Sequence, residues 1–503
     1  MDGSVSTSDG PTVLGIDLGT SSVKVVVCRL DGGIVSQAGA EYEVRNDRPG
    51  WAESDPGQWW GAVRTAVRAA VSSDAPPVAI GLSGQMHGLV PTSANGTPTR
   101  DAILWADSRS VAQVERYESL PESALRRLAN PLGPGMAGPM LLWLAENEPE
   151  SYGRMRWAMQ PKDWLRARLT GGFASEPSDA SATLLFDVVG GTWDADVLAS
   201  LGLDRDHLPP LLASPATTAG ALLDSAAREL GLPSGLPVAA GGADTAVAAL
   251  GSGLVQPGTA QLTIGTGLQI VTPVAAAAAA ERTDARPVTH LYRAATDEGF
   301  YGMAAVLNGG LALNWVRQLF DLSWPELYAA AESPVDADAP LFLPHLNGER
   351  TPYLDPGMRG SWVGLSPRHD RRTLVRASLE GVALAAREAL GALVDGDESL
   401  AHLRLAGGGT TAPAWRQLLA DVLQRELHAV EVPGASARGA AMLGARAAGL
   451  LTEDQVVEAM TPSKAEVTTP DPGRAAFYAE RLDRFHDTVA VLRRRRADGP
   501  AGS

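Results

Sequence analysis

An α/β protein built from two similar lobes is the fold class this sequence predicts, and three observations predict it. The text from Val13 to Cys28, VLGIDLGTSSVKVVVC, is two β-rich runs around a Gly-Thr-Ser-Ser turn, which is a hairpin signal. Residues 260–272, AQLTIGTGLQIVT, repeat the phrase with Gly-Thr-Gly in the turn, as though a second domain opens with its own version of the first. Between and after these hairpins, short apolar runs alternate with stretches of helical apolar spacing.

The remaining elements follow in chain order. Residues 58–71 and 139–146 carry helical spacing, whereas 78–82 and 237–240 read as short buried strands. A boundary is expected near residue 255, at the turn Gln256-Pro257-Gly258. It divides the chain into an N-terminal domain (11–254), a C-terminal domain (255–460) and a helical tail (461–503). The alanine run 275–280 is low-complexity sequence and is assigned to a variable surface segment. Residues 376–394 form a long apolar helical face, and 403–406 then run into Gly407-Gly408-Gly409 ahead of a helix at 414–424. That order is strand, glycine turn, helix. The cationic run Arg493–Arg496 reads as a solvated helix end, where positive charge suits the dipole.

Composition excludes several classes. The 503 residues carry a net charge of -16, and 45% of them are apolar, so this is an ordinary globular chain without the dense cationic face that nucleic acid requires. No global field steers an anion either. A nucleotide would have to be held by backbone N–H groups, helix N-termini and a divalent cation. Cys28 is the only cysteine, so neither an intrachain disulfide nor a cysteine zinc cluster can form, and a reducing compartment fits. Residues 1–11 have no basic or apolar signal region, and 275–280 are too few to span a bilayer. A cytoplasmic location with no membrane partner is expected. A homodimer is one assembly such a chain can form.

Elimination narrows the chemistry. The lysines are Lys24, Lys162 and Lys464, and none follows glycine, which removes the Gly-Lys-Ser/Thr phosphate loop. Gly81-Leu82-Ser83-Gly84 is followed by Gln85, so no Gly-x-Ser-x-Gly elbow forms. The hairpin Asp17-Leu18-Gly19-Thr20-Ser21-Ser22 remains, its glycine letting N–H groups approach phosphate oxygens and its hydroxyls adding donors. Asp17 could hold hydrated Mg²⁺. One such turn is more often structural, but a second at Gly265-Thr266-Gly267 lets two lobes clamp a triphosphate from both sides.

Asp244, in Ala240-Gly241-Gly242-Ala243-Asp244-Thr245, stands at a strand-to-helix corner among small residues. It can cap the helix, or it can accept the proton of a hydroxyl attacking a γ-phosphorus. Gln85-Met86-His87-Gly88 follows a strand-like run, so His87 should project from a strand end into a cleft. Trp105-Ala106-Asp107-Ser108-Arg109 suits a sugar-binding surface and a buried salt bridge equally.

Taken together, the phrases GIDLGTSSVK, GWAESDPGQWW, SGQMHG, ILWADSR, PKDWL, LNGERTPY, ASLEGVA and AGGG resemble the FGGY family of carbohydrate kinases, in the family's order, from about Val13 to about Leu450. The resemblance is greatest to members that phosphorylate D-xylulose. It implies two actin-like (ribonuclease H-like) ATPase domains flanking a catalytic cleft, with MgATP as phosphoryl donor. Carried over by motif, Asp244 is the general base, Met86 and His87 contact the sugar, and Trp105, Asp107 and Thr245 lie on the sugar side. Thr20, Ser21, Ser22, Lys24, Thr266 and Gly267 face the phosphates, while Gly310, Asn314, Gly408 and Gly409 border the nucleotide. Departures fall at the sugar side, where Ala243-Asp244-Thr245 stands for Gly-Asp-Asn and Trp105-Ala106-Asp107 for Trp-Asn-Asp. Another ketose or a polyol, such as ribulose or arabinitol, is the alternative acceptor. A different class is raised by Gly407-Gly408-Gly409-Thr410-Thr411-Ala412, which satisfies a dinucleotide fingerprint with Glu431 about twenty residues on. An NAD-dependent oxidoreductase, however, leaves both hairpins and the Asp244 corner unexplained.

Overall fold

Each hairpin opens a mixed sheet. In this computed structural model, which describes residues 10–394, 400, 402–407 and 412–497, the first sheet runs Thr218–Ala221, Pro237–Ala239, Ile80–Gly84, Thr12–Leu18, Ser22–Arg29, Ile34–Glu41. The short strand Gly242–Ala243 pairs beside Ser83 and Gly84. The second sheet runs His290–Arg293, Phe300–Val306, Leu268–Val274, Thr259–Ile264, His402–Ala406, Leu427–Ala429, Glu466–Thr468. Both contain a three-stranded antiparallel meander, extended from its first strand by two parallel strands and closed by an antiparallel one. The repeated phrase in the sequence is therefore a repeated topology.

Helices cover these sheets, which is why the central strands are nearly continuous apolar text. Pro56–Ala70 starts at Asp55, whose carboxylate accepts from Gly57 N–H, and it buries Trp59, Trp60, Val63 and Val67 on the first meander. Arg371–Leu393, capped by Asp370 on Thr373 N–H, is buried along most of its length in the second lobe. The 275–280 run lies at the surface, where Ala276–Ala280 form a short, mostly exposed helix, because alanine has the highest intrinsic helix propensity. The tail is the helix Ala475–Ala497, and Arg493 and Arg496 near its end reach Asp355 at 3.4 and 2.7 Å.

One helix crosses between halves of the chain. Ala435–Ala447, although it follows the second sheet's strands in sequence, packs on Thr12–Leu18 and Ile80–Gly84 and against Asp244–Gly251. Missing side chains permit the approach. A Cβ at Gly15 would lie 1.9 Å from the Ala437 carbonyl oxygen, and one at Gly81 would lie 1.6 Å from that of Ala440. Gly251 and Gly439 meet the same helix pair with equal intimacy, their Cβ positions falling 2.0 Å from Ala435 O and 2.2 Å from Val247 O. Among the described residues, no helix is long and apolar enough to cross a membrane.

Candidate active site

The first turn is shaped by its own hairpin. Asp17 stands opposite Lys24 in the register, Gly19 N–H donates to Ser22 O at 3.0 Å, and the Tyr42 hydroxyl donates to Gly19 O. Thr20 and Ser21 are thereby left at the tip, where the Trp105 indole N–H donates to Thr20 Oγ1 at 2.9 Å. Ser21 and Lys24 are exposed. Asp17 accepts from the Ser83 hydroxyl at 2.9 Å; burial raises its pKa, with the Ser83 bond and the Lys24 charge opposing.

The second turn meets a helix N-terminus. Gly265 N–H donates to Gly267 O at 2.9 Å, while Gly310 N–H and Leu311 N–H donate to Gly265 O and Thr266 O at 3.0 and 2.8 Å. A Cβ at Gly310 would stand 2.2 Å from Gly265 O, so only glycine allows the helix Gly310–Leu319 to begin here. Thr266, Gly267 and Gly310 therefore share one place. Asn314, a turn further on, has its Oδ1 held by Arg317 Nε and Nη2 at 3.1 and 3.0 Å. Gly408 and Gly409 lie outside the described residues; Gly407, before them, follows the strand His402–Ala406.

Asp244 has neighbours on strands of both hairpins: Asp17 acts on its charge, and the adjacent Thr245 reaches Gln269. The strand Gly242–Ala243 delivers it to the first position of the helix Asp244–Gly251, where Oδ1 accepts from Thr245 N–H at 2.6 Å and from Thr245 Oγ1 at 3.2 Å. The N-cap is Ala243, so Asp244 does not cap the helix. Burial first and the charge of Asp17 second push its pKa up to about 7, against the two Thr245 bonds. The two carboxylates are thus near enough to feel each other. Among the described residues, no group of three or more His, Cys, Asp or Glu could hold a metal.

Beyond Asp244 lies the proposed sugar side. His87 has φ of 70°, a left-handed backbone that turns its ring toward Ala182, whose carbonyl is 2.8 Å from Nδ1. Only a protonated Nδ1 can bond a carbonyl, and burial pushes the pKa down to about 4, so Nε2 is left as an acceptor at neutral pH. Met86 is buried and receives the Tyr301 hydroxyl at 3.7 Å. Thr245 Oγ1 is 3.4 Å from Gln269 Nε2. Trp105, half-buried, joins the hairpin to this side.

Asp107 is committed elsewhere. Its oxygens accept from Ala52 N–H at 2.6 Å and from Arg109 Nε and Nη2 at 2.9 and 2.7 Å, and Arg109 also meets Glu53 at 2.7 Å while lying over the Trp51 ring. Of its two sequence readings, the geometry is that of the buried salt bridge. Three residues to which the sequence reading gave no role stand at the site: Gln269 and Arg350, which lie within quoted phrases, and Tyr292. Tyr292 lies 6.0 Å from the His87 ring, and Arg350 lies 5.6 Å from that of Trp105. Both come from the second lobe, and a lone Tyr or Arg in a strand or loop carries no signal of that placement.

Comparison with known proteins bears on the whole chain. The FGGY family of carbohydrate kinases matches in two parts, its N-terminal domain over residues 12–251 and its C-terminal domain over residues 261–448. The chain is 34% identical over 481 residues to the xylulose kinase of Escherichia coli, covering 94% of this chain and 97% of that one. It is 34% identical over 461 residues to the xylulose kinase of Staphylococcus epidermidis, covering 89% and 90%. Among solved structures, the xylulose kinase from Rhodospirillum rubrum superposes with a TM-score of 0.87 at 30% identity, covering 96% of this chain and 99% of that one.

Proposed function

This chain belongs to the FGGY family of carbohydrate kinases, two-domain actin-like enzymes that phosphorylate a sugar with ATP, and from that premise we infer that it converts D-xylulose to D-xylulose 5-phosphate with Asp244 as general base. The observation that carries the mechanism is a half-buried carboxylate that feels the charge of Asp17, just before the first turn, and whose neighbour Thr245 reaches Gln269, just after the second, with its pKa raised to about 7. Such a group accepts a proton readily at neutral pH, where an ordinary carboxylate is too weak a base. Thr245 fixes its Oδ1, so Oδ2 faces the incoming hydroxyl as that oxygen attacks the γ-phosphorus.

The other residues position. His87 Nε2 accepts from a sugar hydroxyl, Met86 and Trp105 give apolar surface, and Thr245 lies beside the reacting end. N–H groups and hydroxyls of Thr20, Ser21, Ser22, Thr266 and Gly267 cradle the phosphates, with Lys24 as the nearby cation and the N-terminus of Gly310–Leu319 behind them. Asp17 and Asp244, whose like charges act on one another, fit a hydrated Mg²⁺ held through water on Asp17. Bound there, the ion would screen the charge of the transferring phosphoryl group. Hinge motion near residue 255 closes the domains over the substrates and excludes water. Buried, unpaired Cys28 suits a reducing cytoplasm.

D-xylulose is favoured because the relatives named above are xylulose kinases. Thr245 and Ala106 each replace an amide with a smaller group, which widens the pocket. The test is an ADP-release assay giving kcat/KM for D-xylulose, L-xylulose, D-ribulose, L-ribulose, D-arabinitol and glycerol. D-xylulose should lead. Another acceptor ahead by about tenfold, a difference of one or two hydrogen bonds, would sink the xylulose reading and leave the kinase standing.

A further inference from the structure

The phrase Leu346-Asn347-Gly348-Glu349-Arg350-Thr351-Pro352-Tyr353 has no part in the reaction as described so far. The residues on either side of Arg350 are buried and fully engaged. The Glu349 carboxylate accepts from Leu307 N–H at 2.7 Å, Asn308 Nδ2 at 3.0 Å and Arg350 N–H at 2.9 Å, and lies 3.2 Å from His345 Nδ1. Thr351 N–H donates to Ala305 O at 3.0 Å, its hydroxyl donates to Val288 O at 3.0 Å, and Ala305 N–H donates back to that hydroxyl at 3.2 Å. Between these anchors the Arg350 side chain is exposed. A loop fastened on both sides holds one guanidinium out into the cleft.

Its destination is the other lobe. The guanidinium carbon stands 5.6 Å from the centre of the Trp105 ring, and its charge acts on His87, His290 and Tyr292, adding to burial in keeping both imidazoles neutral. Among the described residues, no carboxylate forms an ion pair with it: Glu349 acts on it only through its charge, its oxygens being bonded to Leu307, Asn308 and His345, and Asp107 is spent on Arg109. An exposed guanidinium that makes no ion pair turns its N–H donors to solvent and to whatever enters the cleft.

Donor and acceptor balance says which part of the ligand. Asp244 and His87 Nε2 both accept, the Thr245 hydroxyl donates to Asp244 and the Gln269 amide to Thr245 and Met303, so these groups satisfy the hydroxyl hydrogens of a sugar and offer its carbonyl oxygen, which can only accept, no charged donor. A guanidinium carries five N–H donors and no acceptor. We propose that Arg350 is the second lobe's contribution to the acceptor site, donating hydrogen bonds to the carbonyl oxygen of a bound ketose, away from the hydroxyl that reacts. Lobe closure would then be coupled to recognition of that oxygen. The inference rests on the reading of the acceptor as a ketose.

Steady-state kinetics on the full chain with Arg350→Met and Arg350→Lys tests it. In Arg350→Met the KM for D-xylulose should rise about tenfold, with kcat within about threefold and the KM for ATP within about twofold, as for a lost charged bond made in ground and transition states alike. The preference for D-xylulose over D-arabinitol, which lacks the carbonyl, should fall about fivefold or more, and Arg350→Lys should recover part of both losses. A sugar KM within about twofold of wild type overturns the proposal, as does a loss that falls on the ATP KM instead. Should Arg350→Met melt well below wild type, Arg350→Lys, with charge and stem kept on the same loop, carries the test, and an unchanged sugar KM there also overturns it. A wild type that prefers a different ketose ends the xylulose reading alone. The same comparison is then made on that ketose and its polyol.

Discussion

Replacing Asp244 with asparagine removes the proton acceptor and, at alkaline pH, an unfavourable negative charge, so one substitution should abolish turnover and stabilise the fold. The shape is kept, and Asn Oδ1 can still accept from Thr245 N–H and Oγ1. The carboxyl's pKa rises from 3.8 to about 7, so its ionised form is disfavoured by about 4 kcal/mol at most. Asp244 is only half-buried, and water screening reduces the expectation to about 1–2 kcal/mol. The folded-state value lies above the unfolded one, so the penalty is absent below about pH 4, grows as pH rises, and is complete above about pH 7. Asp244→Asn should therefore raise Tm by about 1–3 °C at about pH 8 and leave it unchanged at about pH 4. Scanning calorimetry at both pH values measures this, beside an ADP-release assay in which kcat falls by about 10² to 10⁴. No gain at the higher pH, or an equal gain at both, refutes the raised pKa. Turnover within about threefold of wild type removes Asp244 from the mechanism.

Three further expectations concern the same architecture. The profile of sugar kcat/KM against pH should fall with unit slope below about pH 7, where Asp244 takes up a proton, and a flat profile from about pH 5.5 to 8 would contradict its role as base. Gly81→Ala would drive a Cβ to 1.6 Å from the Ala440 carbonyl oxygen, costing about 3 kcal/mol or more through backbone displacement; a wild-type melting temperature would disprove the close crossing. Lys162→Met would leave Asp163, Asp179 and Glu176, now 2.7, 3.2 and 3.4 Å from its ammonium, buried without that cation. Stability should drop by about 3–5 kcal/mol and partly return on acidification, and a loss independent of pH would show that packing, not charge, was removed.

What the sequence disclosed was local. The hairpins, the glycine-lined corner at Asp244 and most helices lie in contiguous text, so their observed bounds differ from the expected ones by only a few residues, as with Pro56–Ala70 against 58–71. Asp244 read equally as a helix cap in the sequence, and only the helix start at Asp244 itself, with Ala243 as N-cap, removes that reading. Asp107 stayed open for another reason: a Trp-Ala-Asp-Ser-Arg phrase cannot say whether its carboxylate faces a ligand or its own arginine two residues on. Tyr292 was not legible, and Arg350 only as a letter of LNGERTPY without a role, because their placement comes from lobes meeting across more than two hundred residues. The helix Ala435–Ala447 is the same case in the fold, its small residues meaning nothing until Gly15, Gly81 and Gly251 are set against them.

That crossing helix also bears on how the chain is made. The strands Thr12–Leu18 and Ile80–Gly84 emerge from the ribosome early, yet the helix that covers one of their faces is not complete until Ala447. At about 5–20 residues per second, the interval between residue 254 and residue 447 lasts about 10–40 s. During that time the nascent first lobe presents an open apolar groove floored by glycine, into which another chain's helix could lodge as readily as its own. The first lobe of this chain is therefore open to mispairing for longer than its two-domain organisation suggests.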